Sequence, residues 1–65
     1  MTSALDKLNP RQRAFVHAYV AGETAGNAAA SYVAAGYSER AANRAAARLL
    51  TNVDIDAAVC ELREA

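Results

Sequence analysis

Residues that start or stop helices recur along this chain too often for long elements to form. Asn9-Pro10, Gly22, Asn27, Gly36, Ser38 and Asn52 divide it into segments of roughly ten residues. The filling between them is helix-forming: eighteen of the 65 residues are alanine, the side chain least costly to order in a helix. Strand formers are too sparse to build a sheet. The expected fold is therefore all-α, a small bundle of about four helices containing a helix-turn-helix.

Asn9 precedes Pro10, which is preset for the first helical position, and Gln12 stands at capping-box spacing from Asn9. Helix 1 is predicted over 10–21, with Phe15, Val16, Ala18, Tyr19 and Val20 on its apolar side, Arg13 and His17 opposite, and Gly22 as its stop. Thr24 and Asn27 both suit a cap for helix 2. Asn27 is preferred because Gly26 is costly inside a helix, and this gives a helix over 27–35 closed by Gly36 in the left-handed conformation.

A short Gly36-Tyr37-Ser38 link follows, with Ser38 expected to cap helix 3 over 39–50 and Glu39 set against the positive end of its dipole. Asn52 is expected to end helix 3 and cap a fourth helix over 53–63, in which Ile55, Ala58, Val59 and Leu62 form one stripe. Phe15, Tyr19, Val33, Ala45, Leu49 and Ile55 are predicted to share one core. The last helix stops at Arg63-Glu64-Ala65 without a capping signal, which is the expectation for a chain cut from a longer protein.

Several function classes are disfavoured. The longest apolar runs, such as Tyr32 to Ala35, fall far short of the roughly 20 residues needed to cross a bilayer, so no membrane partner is expected. Residues 1–9 lack the basic start and apolar stretch of a secretory signal. Cys60 is the only cysteine, so it has no disulfide partner within the chain, and His17 with Cys60 makes a poor metal site. Ser38, His17 and Asp6 have no arrangement that suggests a nucleophilic triad, and no enzyme activity or cofactor is expected.

Seven basic and seven acidic residues cancel, so any nucleic-acid reading must rest on where the charges lie. At about 100° per residue, Arg40, Arg44 and Arg48 fall on one ridge of helix 3, flanked by Asn43, Ala47 and Thr51. Ala42, Ala45, Ala46 and Leu49 lie opposite. A helix with one face of small residues and one of guanidinium, amide and hydroxyl groups has the composition needed to pack closely and to bond bases and phosphates. The DNA-binding candidates are Arg40, Asn43, Arg44, Ala47, Arg48 and Ser38, with Lys7 and Arg11 flanking helix 1. The bland reading is that the arginines only solvate an alanine-rich helix. Tyr37 is expected to pack back on helix 2 rather than to touch phosphate.

Leu8-Asn9-Pro10-Arg11-Gln12, Phe15-Val16 and Tyr19-Val20 resemble the opening helix of phage terminase small subunits. Asn27-Ala28, Val33, Ala35-Gly36-Tyr37-Ser38, Ala42 and Arg48-Leu49-Leu50-Thr51-Asn52 resemble the rest of that family's N-terminal DNA-binding domain in the same order. The connector before Asn27 is longer than usual, and Ala30 and Ala34 replace side chains that are often polar or basic in the family.

The resemblance implies a protein that binds the packaging start on double-stranded viral DNA and brings in the terminase large subunit, which carries the ATPase and nuclease, in the cytoplasm of a bacterial host. It also implies further helices that assemble a homo-oligomeric ring, with this chain alone a monomer. The corresponding division is an arm over 1–9, a DNA-binding domain over 10–52 and the start of a C-terminal helix over 53–65. A small helix-turn-helix transcription regulator and a helical protein-interaction module that binds no DNA are the alternatives.

Overall fold

The computed structural model describes residues 4–64; residues 1–3 of the expected arm and Ala65 lie outside them. A short 3-10 helix, Ala4–Lys7, leads into four α-helices: α1 Pro10–Ala21, α2 Ala28–Ala34, α3 Ala42–Thr51 and α4 Val53–Glu64. The described residues contain no strand, so the chain is an all-α small bundle. α1 packs on α2 and α4, α3 packs on α2 and α4, and the 3-10 helix lies on α4.

The helix ends follow from local chemistry. Asn9 Oδ1 accepts from the Gln12 backbone N–H at 2.8 Å while Gln12 Oε1 accepts from the Asn9 N–H at 3.0 Å, a complete capping box with Pro10 behind it. At the far end the Gly22 N–H donates to the Ala18 carbonyl at 3.3 Å. A Cβ at Gly22 would lie 2.9 Å from Ala18 Cα, so close backbone approach is what requires glycine there. Asn27 Oδ1 accepts from the Ala30 N–H at 3.0 Å, making Asn27 the cap of α2.

The close of α2 is a Schellman motif. Gly36 takes φ +101°, its N–H donates to the Val33 carbonyl at 3.0 Å, and the Tyr37 N–H donates to the Tyr32 carbonyl at 3.3 Å. Asn52 then serves two helices. Its N–H donates to Leu49 O at 3.0 Å, and its Oδ1 accepts from the Asp54 N–H at 2.9 Å in the first turn of α4.

α3 departs from expectation at its start: it begins at Ala42, not Glu39. The Ser38 hydroxyl accepts from the Arg40 N–H at 3.1 Å and so closes a local turn instead of capping the helix. Ala41 then sits at φ 53°, ψ 30°, a left-handed conformation that a right-handed helix cannot include. The helix starts one residue later, with no side-chain cap. The link from α2 accordingly covers 35–41, longer than the Gly36-Tyr37-Ser38 turn expected.

The core is built from Phe15, Val16, Ala46, Ile55 and Ala58, all fully buried, with Leu8 and Val59 at 6% exposure. Of the six residues predicted for it, Phe15 and Ile55 are central, and Tyr19 and Leu49 are half-buried against it. Ala45 is only part-buried, because the middle of α3's inward face falls on Ala46. Val33 lies outside the core and borders an open groove with Ala29, Ala30, Ala41 and Ala42. α2 turns Ala28, Ser31, Tyr32 and Ala35 inward instead, and Val33 is off that face. Within α4 the predicted stripe holds: Ile55, Ala58 and Val59 are buried and Leu62 is half-buried.

Ser31 is the buried polar residue of this core, and its hydroxyl donates to the Thr24 carbonyl at 3.0 Å. The two hydroxyls lie 2.8 Å apart, and Thr24 Oγ1 is also 3.3 Å from the Ala18 carbonyl. The connector is thereby tied to both α1 and α2, with its polar atoms satisfied.

Candidate nucleic-acid interface

Along α3 the exposed positions are Asn43, Arg44, Ala47, Arg48 and Thr51; the buried or half-buried ones are Ala42, Ala45, Ala46, Leu49 and Leu50. That division has the period of a helix, and it leaves outward the guanidinium, amide and hydroxyl groups singled out from the sequence. The inward residues are small where α3 meets its neighbours, which lets the helices approach closely. Thr51 Oγ1 donates to the Arg48 carbonyl at 2.7 Å, so its hydroxyl is spent on its own helix end.

Arg40 and Ser38 are exposed on the turn that precedes α3. The expected ridge of three arginines on one helix is therefore two, Arg44 and Arg48, with Arg40 on the approach. A groove between α2 and α3 runs beside them, floored by Ala29, Ala30, Val33, Ala41 and Ala42 and edged by Glu39, Asn43 and Arg44.

Lys7 is exposed at the end of the 3-10 helix, and Arg11 is exposed in the first turn of α1. Arg11 has a specific neighbour: its guanidinium carbon lies 5.4 Å from the ring centroid of Tyr37. Tyr37 in turn stacks on Tyr32, so it does pack back on α2. Its hydroxyl pKa is raised from the ordinary 10.0, chiefly by burial, with Arg11 opposing the rise and Tyr32 adding to it. The sequence reading missed the Arg11–Tyr37 contact, because it joins elements far apart in the chain. The stacking partner was open to detection, since the fifth residue from Tyr32 across a helix-closing glycine is where a Schellman motif makes its side-chain contact.

Compared with known families, the chain matches the one described as terminase small subunit over residues 8–65. The chain belongs to the terminase small subunit family. Comparison with curated proteins and with solved structures finds no match. Membership gives this terminase small subunit a packaging-related role in a family that is generally non-catalytic. Among the described residues of this family member, no helix is long and apolar enough to cross a membrane. Cys60 is a free, exposed thiol on α4.

Proposed function

We propose that the chain is the DNA-binding part of a terminase small subunit, that α2, the link over 35–41 and α3 act as a helix-turn-helix, and that α3 reads duplex DNA at the packaging start. The observation that carries this reading is the exposure pattern of α3, in which Asn43, Arg44, Ala47 and Arg48 all face outward. Arginine can take a guanine edge bidentately, asparagine an adenine edge, and alanine can lie against a thymine methyl. Arg40 and Ser38 on the turn, and Lys7 and Arg11 beside α1, serve as backbone contacts that position the helix.

With as many acidic as basic residues, one copy binds weakly and loses affinity steeply with added salt. Useful affinity comes from several linked copies, which raise avidity by about 10² to 10⁴ without new contacts per copy. On this reading residues 10–52 bind DNA, and the helix from 53 leads toward the region that assembles copies and recruits the large subunit in the host cytoplasm.

Chemical-shift mapping with duplex DNA tests the proposal. Shifts should centre on Asn43, Arg44, Ala47 and Arg48. Shifts confined to α4 would favour the protein-interaction alternative and overturn it.

A further inference from the structure

Outside α3, one group of side chains is gathered in an open groove where the start of α1 meets the α2–α3 link: Asn9, Pro10, Arg11 and Tyr37, whose ring also packs against the core. The end of α1 itself is not available to a ligand in the usual way, because the capping box uses the Asn9 side-chain oxygen Oδ1 and its backbone N–H. That leaves the amide nitrogen of Asn9 as its remaining donor. Beside it is the guanidinium of Arg11. The groove thus offers an amide and a guanidinium as donors.

What distinguishes it from a set of surface side chains is support. Arg11 lies over Tyr37 at 5.4 Å, and Tyr37 stacks on Tyr32 with centroids 4.3 Å apart and planes 7° from parallel. A guanidinium held on a ring gives up less freedom when it binds than one on a free chain, and its planar edge remains able to take two oxygens of one anion. Tyr37 also belongs to the link that delivers α3, so an anion gripped here is tied mechanically to the reading helix.

We propose that Arg11, held by Tyr37 and assisted by Asn9, is a clamp for one phosphodiester of the DNA backbone, and that it sets where α3 sits along the duplex. This rests on the reading of α3 as the DNA-reading helix. It assigns Tyr37 a positioning role, acting on DNA through Arg11.

The test measures affinity over a salt series for the 65-residue chain, on a random-sequence duplex and on a duplex selected from a random pool. Arg11→Ala should weaken binding to both alike and make the slope of log affinity against log salt shallower by about one. Tyr37→Leu changes no charge, yet should reproduce most of the affinity loss, and the double variant should be no weaker than Arg11→Ala alone. Arg11→Lys should keep most of the slope while losing affinity, because an ammonium has no planar edge to stack or to bond bidentately. Should Tyr37→Leu fail to fold, Arg11→Lys carries the same question. Wild-type affinity and slope in Arg11→Ala, with binding still sensitive to Arg44→Ala, overturn the clamp and leave the reading of α3 standing. Full affinity in Tyr37→Leu or Arg11→Lys overturns the positioning role. Absence of binding to any duplex by the unaltered chain at low salt overturns both proposals.

Discussion

Tyr32 and Tyr37 stack with ring centroids 4.3 Å apart, brought together because Gly36 between them turns the chain at φ +101°. A Cβ at Gly36 would meet nothing nearer than Arg11 Nε at 3.9 Å, so the obstacle to a side chain is conformational and not steric crowding. Gly36→Ala should therefore cost about 1 to 2 kcal/mol, the penalty of a left-handed L-residue. Urea unfolding measures it, and Gly36→Asn should lose less because asparagine tolerates that region better.

Ile55 is fully buried and Leu49 only half-buried, which orders the cost of truncating them. Ile55→Ala should lose about 2 to 5 kcal/mol. Leu49→Ala should lose about 1 to 2 kcal/mol, since part of its side chain is already hydrated. A domain of this size has a total stability of only about 3 to 10 kcal/mol, so Ile55→Ala should remove a large share of it and lower the urea midpoint followed by circular dichroism.

Asn52 closes α3 with its backbone N–H and caps α4 with its side chain. Asn52→Ala removes only the second function. The expected loss is about 0.5 to 2 kcal/mol in urea, with faster amide exchange concentrated in the first turn of α4.

For DNA, Arg44→Ala should weaken binding more than Arg13→Ala. Arg44 is exposed on the outward face of α3, while Arg13 is exposed on a different helix, α1. If Arg44 takes a guanine edge, the loss is about 1 to 3 kcal/mol and depends on the base. Equal small losses for the two variants, measured by fluorescence anisotropy, would leave only nonspecific attraction.

Stability should fall at alkaline pH through Tyr37. Its pKa is raised in the folded chain, first by burial, so the folded state holds the phenolic proton more tightly than the unfolded state does. The contribution is fully present below the ordinary tyrosine value of 10.0 and is lost as pH rises through the folded value. Urea midpoints across that range should decline, and Tyr37→Phe should flatten the decline.

Local chemistry was legible in the residue order. Asn9 with Gln12, Asn27, Gly36 and Asn52 act within a turn or so of their own positions, so the helix ends they set follow from spacing. The outward set on α3 was legible for the same reason, since moving the helix start from Glu39 to Ala42 does not change its phase. Ser38 misled because a hydroxyl that can cap a helix can also close a turn, and only the conformation of Ala41 decides which happens.

Other features depended on which elements come to lie side by side. Ala46, not Ala45, is buried where α3 meets the core, and Val33 borders a groove because α2 turns Ser31 and Tyr32 inward. The Thr24–Ser31 pair and the Arg11–Tyr37 contact join separate elements. The sequence by itself determined the number of helices, where most of them begin and end, and which face of α3 is polar, because caps and periodicity act over a few residues. Tertiary structure alone decided which of the small residues are buried and which arginine meets a tyrosine, because eighteen nearly interchangeable alanines carry no local signal of what they will pack against.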